Sequence, residues 1–233
     1  MVPVELGFPD GQIQSVTITA TQSEPDSTWV HLGPASEREL PLYQRDADKP
    51  YWFKYLEDSK TVYFKFNAIS SPSGFERLKT FRQRLFQFVD SHDVERLVID
   101  LRDNEGGDNF NDPPFIHDLL QHPKLDQPNS LYVIVGRKTF SAAMGLSVML
   151  ERFTNAVFVG EPTGSSPNFI GEDVQLVLPH SGMQVSLSDL FWQYSVAMDY
   201  RPWLAPQIYA PPSLPLFRDG RDPAMEAIMA EKR

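Results

Sequence analysis

The sequence contains no cysteine. That absence excludes disulfides, thiolate nucleophiles and cysteine-ligated metals, and it suits a chain that works in an exported compartment. Long apolar runs are missing too. No stretch approaches the ~20 residues needed to cross a bilayer, and the opening MVPVELGFPDGQ has neither the basic n-region nor the apolar h-region of a signal peptide. Basic residues are scarce: 21 Lys and Arg against 31 Asp and Glu give a formal net charge of −10. Nucleic acid and anionic membrane are gripped by clusters of Lys and Arg, so neither is an expected partner. Glycine is outnumbered by proline, 13 to 20, the reverse of ordinary usage, which points to long ordered connections rather than a flexible chain. Internal repeats and low-complexity tracts are absent.

What is present is globular. With 233 residues, 41% of them hydrophobic, the chain can bury a real core in one large domain or two small ones. Residues 12–21 (QIQSVTITAT) predict a strand, and 22–50 a polar, proline-bearing linker. Residues 1–50 are thus expected to form an N-terminal strand and linker region, the end of a neighbouring domain cut short. From 51 to 233 the signals strengthen. YWFKYL and KTVYFKF predict a hairpin turning at Glu57-Asp58-Ser59, with Val62, Phe64 and Phe66 on one face and Thr61, Tyr63 and Lys65 on the other. Ser73 and Glu76 have capping-box spacing, and Phe75, Leu78, Phe81, Leu85, Phe88 and Val89 follow at helical intervals. RLVIDL (96–101) has the continuous apolar character of a strand buried on both faces.

The alternation then repeats: a helix around FIHDLLQH, strand LYVIV (131–135), a helix from Ser141 and strand AVFVG (156–160). This order argues for α/β with parallel strands joined by crossovers. DVQLVLP (173–179) and MQVSLS (183–188) predict a second hairpin about His180-Ser181-Gly182. Asp222 and Pro223 have the N-cap and first-turn chemistry of a final helix.

Parallel α/β sheets place chemistry beyond the carboxyl ends of their strands. Three strands here run into informative loops: DLRDNEGGDN (100–109), GRKTFSAAMG (136–145) and GEPTGSSPNFIGE (160–172). Gly106-Gly107 can bring backbone N–H groups close to a ligand, or simply make a tight turn. Ser141 at a helix start can cap that helix. Its flanking Ala142 and Ala143 also leave room around the hydroxyl, and the helix N-terminus would stabilise a developing oxyanion.

Together these loops resemble one family. The run LVIDLRDNEGG, then IVGRKTFSAAMGLSVMLERF, then NAVFVGEPTG has the order, spacing and wording of the catalytic core of the C-terminal-processing (tail-specific) serine peptidases. That family includes tricorn-like proteases and is similar in fold to Clp protease and crotonase. The resemblance covers about residues 51–210 and implies a Clp protease/crotonase-like core of mostly parallel strands with crossover helices and flanking β-hairpins. It further implies a serine-type peptidase acting on peptide or protein substrate without cofactor or metal. Acyl-enzyme would form at Ser141, and the N–H groups of Gly106, Gly107 and Ala142 would make the oxyanion hole.

The chain also departs from the family's pattern. The processing peptidases carry a lysine base in a GEPTFGKG-like block, whereas the matching stretch here is GEPTGSSPN, with Ser166 at the lysine's position. Tricorn-like members use an upstream histidine instead. None of His31, His92, His117, His122 and His180 matches it by motif, so the resemblance supplies no base. In MDYRPWLAPQI (198–208), Gln207 stands where an aspartate is usual, and Asp199 lies where tricorn-like enzymes place a supporting acid, although a salt bridge to Arg201 or Arg152 would use it equally well. Asn168 and Ser166 are candidates for substrate contact, Asn168 alternatively closing a turn. A carrier without turnover, similar to the retinoid-binding repeats of the same family, is the competing expectation. Crotonase-like thioester chemistry is a weaker third, since no adenine-binding signature accompanies it. Nothing in the sequence marks an oligomeric state.

Overall fold

The computed structural model describes residues 2–19 and 40–231. His31 and most of the expected linker lie outside the described residues. The chain divides into two compact units, Met1–Ala35 and Ser36–Arg233. In the first, strand β1 (Val2–Gly7) pairs antiparallel with β2 (Ile13–Ile18), Val2 opposite Ile18. The sequence predicted β2; β1 went unread because VPVELG carries a proline at its second position.

The second unit is built on a six-stranded sheet. Its strands are β3 (Tyr51–Leu56), β4 (Thr61–Phe66), β5 (Arg96–Asp100), β6 (Leu131–Val135), β7 (Val157–Gly160) and β10 (Ile208–Tyr209), in the spatial order β10-β7-β6-β5-β4-β3. Only β3 runs antiparallel to its neighbour. Helices α1 (Leu78–Ser91), α2 (Asp112–Leu120) and α3 (Ala142–Phe153) each connect one parallel strand to the next. The fold is therefore mixed α/β with a mostly parallel central sheet, as the alternation of elements requires.

Each sheet face has its own core. Phe64, Ile99 and Val133 pack with Leu85 of α1, Phe115 of α2 and Leu146 of α3. On the opposite face Tyr63, Val98, Tyr132 and Val159 pack with Met225 and Ile228 of the final helix α5 (Pro223–Ala230). The alternation read in β4 is real, but both of its faces are buried, Lys65 included.

That second face holds a charged network within the core. Asp100 is fully buried. It accepts a 2.5 Å hydrogen bond from the Tyr63 hydroxyl and lies 3.6 Å from Lys65 Nζ and 3.0 Å from Arg102 Nε. Arg102 reaches on to both oxygens of Asp222, which caps α5 by accepting from the N–H groups of Ala224 and Met225. The Tyr43 ring covers the guanidinium at 4.5 Å. Burial alone would raise the Asp100 pKa, but the charges of Arg102 and Lys65 and the Tyr63 hydroxyl outweigh it and hold this carboxyl below its ordinary range. A buried pair costs desolvation to assemble, and removing one member strands the others.

Two expectations need correction. The Ser73–Glu76 capping box does not form: α1 begins at Leu78 after Arg77, and Ser71 Oγ accepts the Leu78 N–H. The second hairpin is longer than predicted, with β8 (Asn168–Val177) against β9 (Gln184–Gln193). A short helix α4 (Leu214–Arg218), capped by Ser213, precedes α5 and had no counterpart in the sequence reading.

Asp100→Asn should cost about 1–3 kcal/mol in urea unfolding, because Lys65 and Arg102 lose a buried counter-charge while keeping Asp103 and Asp222. Since the folded state holds this carboxyl ionised below its unfolded pKa, its stabilisation is complete at neutral pH and is lost as pH falls below about 4. The variant should lack that acid limb.

Candidate active site

The parallel register (Lys65 beside Asp100, Asp100 beside Ile134, Ile134 beside Val159) brings the carboxyl ends of β4 to β7 to one edge. The three loops picked out in the sequence leave the sheet there. Ser141 follows the turn after β6 and immediately precedes α3. Its side chain makes no capping bond, and its backbone has φ 55° and ψ −126°. A residue with a Cβ takes that conformation only at a cost. The strained strand–turn–helix elbow of α/β-hydrolases uses the same device to push a serine hydroxyl out of the fold. Ser141 is half-buried, and no hydrogen bond engages its hydroxyl among the described residues.

The diglycine loop lies against it. Gly106 has φ 112°, and a Cβ there would come within 2.6 Å of Ser141 Cβ and 2.9 Å of Ala142 N. Gly107, at φ 138°, is pressed on Ile69, where a Cβ would lie 2.3 Å from the carbonyl oxygen. The first glycine therefore permits contact with the serine loop and the second permits contact with the segment after β4.

One side chain ties these pieces together. Asn104 is fully buried. Its Nδ2 donates to Phe66 O at the end of β4, its Oδ1 accepts the Gly106 N–H, and its carbonyl accepts the Phe140 N–H. Thr139 does similar work: its Oγ1 donates to Leu101 O and accepts the Gly136 N–H, while its carbonyl accepts from Gly164. The Gly106 N–H is thus occupied. The N–H groups of Gly107 and Ala142 have no acceptor among the described residues.

The other predicted site residues hold chain to chain. Ser166 Oγ donates to Asn168 O; Asn168 donates to Val196 O and accepts from Ser195 N, closing the base of the second hairpin. Asp199 forms an ion pair with Arg201 at 2.8 Å, and Arg201 also grips Glu151 of α3 at 2.7 Å. Hydrogen bonds from Arg201 hold the Asp199 carboxyl far below the usual range. Gln207 accepts the Phe158 N–H. No hydrogen bond joins Ser166, Asn168 or Asp199 to Ser141. The described histidines are also engaged elsewhere: His92 stacks on Phe88, His117 meets Gln121, His122 pairs with Asp90, and His180 sits in an exposed turn. Among the described residues, no group of three or more His, Asp or Glu side chains could hold a metal ion.

Sequence reasoning passed over one buried carboxyl nearby. Asp112 opens α2, is 1% exposed, and has no hydrogen-bond partner on either oxygen among the described residues. Burial, with the charge of Asp108, pushes its pKa up to about 8. The folded chain therefore keeps a proton that the unfolded chain loses above about 4, and stability falls as pH rises through that interval. Asp112→Asn should be more stable than the parent at pH 8 and close to it at pH 4. One proton contributes about 1.4 kcal/mol per pH unit over about four units, which bounds the difference at about 5.5 kcal/mol. Urea titrations at both pH values measure it. Gly106→Ala should lose about 2–4 kcal/mol, since its Cβ overlaps the backbone of the serine loop.

No family model matches the sequence, and no curated protein matches it. Solved structures do. A protein described as a peptidase from Parabacteroides merdae is 17% identical, with a TM-score of 0.54 over 77% of this chain and 63% of that one. One described as an S41 protease from Bacteroides fragilis is 14% identical, with a TM-score of 0.52 over 97% of this chain and 64% of that one. Mature CPAF complexed with lactacystin is 13% identical, with a TM-score of 0.56 over 97% and 66%. The chain spans less than two thirds of the length of the first two. What it shares with these proteins is an architecture: it has the fold of the S41 proteases.

Proposed function

We propose that this chain is a serine-type peptidase that forms an acyl-enzyme at Ser141. The observation that carries the reading is the contact between the strained Ser141 backbone and Gly106 at the carboxyl edge of the sheet. In this reading Ser141 Oγ attacks the scissile carbonyl carbon. The N–H groups of Gly107 and Ala142 donate to the resulting oxyanion, helped by the N-terminal dipole of α3. Collapse of the tetrahedral intermediate breaks the C–N bond and releases the amine, which leaves with the proton given up by the serine hydroxyl; water then hydrolyses the ester, freeing the carboxylic acid and restoring that hydroxyl. Gly106 contributes by having no side chain, which keeps the Ala142 N–H open. Asp199 acts at one remove, fixing Arg201 against α3. The fold shared with S41 proteases supports a peptide or protein substrate, and the missing cysteine fits an exported setting.

A second reading, a ligand-binding module of the same fold, is favoured by one observation: no ionisable side chain is hydrogen-bonded to Ser141 among the described residues. One experiment separates the two. A fluorophosphonate probe at pH 7–8 should label the wild-type chain, Ser141→Ala should abolish labelling, and Gly106→Ala should slow it by about 100-fold. Equal absence of label in wild type and Ser141→Ala would overturn the peptidase reading in favour of the binding module.

A further inference from the structure

The β8–β9 hairpin is amphipathic in a way that its surroundings do not explain. Residues directly opposite in an antiparallel pair share a face. The register therefore puts Ile170 with Phe191, Val174 with Leu187 and Leu176 with Val185 on one side. The other side carries Asp173 with Ser188 and Gln175 with Ser186, and near the base it turns Phe169 and Trp192 toward Phe140 and Tyr194 of the body. Alternation of this kind is the pattern of a strand pair with one buried face. Here the apolar side is the open one: Ile170 is 60% and Phe191 57% exposed. A two-stranded ribbon with an uncovered apolar face is also marginal by itself.

The shape of the face limits what could cover it. Ten residues per strand give a length of about 34 Å, and two strands with their side chains give a width of about 10 Å. That is the footprint of one α-helix. It amounts to about 340 Å², well short of the ~800 Å² per partner that a stable pairing of globular surfaces buries. Charge narrows the choice further. Residues 168–193 include no lysine or arginine, so the face has nothing with which to hold an anionic bilayer. Asp189 lies between Leu187 and Phe191, and the register sets Glu172, between Ile170 and Val174, across from it; both are exposed, and neither side chain has an ion pair or hydrogen bond among the described residues. Two copies meeting through this face would set one such carboxylate near another.

We propose that this face is a docking surface for a single amphipathic helix of a partner protein, one whose apolar stripe carries a basic residue set against Asp189. The inference does not depend on the chemistry at Ser141.

The test uses the full chain and two synthetic helical peptides of about 21 residues. Both carry leucines at i, i+3, i+4 and i+7, with a central lysine in one and a central glutamate in the other. Fluorescence anisotropy should show the lysine peptide binding and the glutamate peptide binding at least about tenfold more weakly. The double substitution Val174→Thr with Leu187→Thr, both at exposed positions, should weaken the lysine peptide about tenfold or more. Asp189→Asn combined with Glu172→Gln should remove the preference between the peptides. Circular dichroism and fluorophosphonate labelling should match the parent in both variants. Failure of the lysine peptide to bind, equal binding of the two peptides, or binding indifferent to the variants would each overturn the proposal. So would sedimentation showing a dimer that the threonine pair dissolves, which assigns the face to a second copy. Pelleting with phosphatidylcholine–phosphatidylserine vesicles would likewise overturn it and assign the face to membrane.

Discussion

The candidate site depends on how closely two backbones approach. Gly106 and the Ser141–Ala142 turn come near enough that a single methyl group would not fit between them. The serine side is held in an unfavourable conformation, and strained residues persist only where their surroundings over-determine them. Asn104 provides that constraint. Its buried amide joins the end of β4 to the diglycine, and its backbone carbonyl takes the N–H of the residue before the serine, so one residue ties three separate loops together. A buried amide with both ends satisfied fixes geometry more than it adds net stability.

The sequence made the scaffold legible and left its fastenings hidden. Strand β6 falls on the predicted residues 131–135, and the hairpin turn on Glu57-Asp58-Ser59, because continuous apolar runs and punctuating turns are local signals. The start of α1 was misplaced by a plausible local cap. In the fold Ser71, further upstream, serves the first turn, a choice set by how the chain enters from β4. At the site, Ser141 stood out by its place at a helix start between small residues in a loop that resembles a known family, and the glycines because close backbone approach favours them. Asn104 and Thr139 did not, since their roles exist only once Leu101 and Phe66 are brought beside them. Asp112 was invisible for a related reason: a carboxylate in DPPF reads as helix-start chemistry, and its burial comes from tertiary packing.

Charge is used differently on the two sides of the large unit. The Asp100–Arg102–Asp222 chain runs through a core and fastens α5 to the sheet, so it is shielded from salt. The Arg201 bridge between Asp199 and Glu151 is more exposed, with the arginine side chain 43% accessible. Ion pairs of that kind add little stability by themselves but can set the position of a segment. In this chain the segment after the second hairpin is the one so placed, against the helix that begins at the candidate nucleophile.

The sheet's two margins are unequal, and that has a consequence for crowding. At one margin β10 is only two residues long, too brief a row of free amides and carbonyls to template a stranger's strand. At the other, β3 offers six residues, with Lys54 standing outward among them. A stray chain joining there would have to bury that ammonium beside its own side chains. Self-templating growth of the sheet is thus discouraged at both ends, by brevity at one and by a charge at the other.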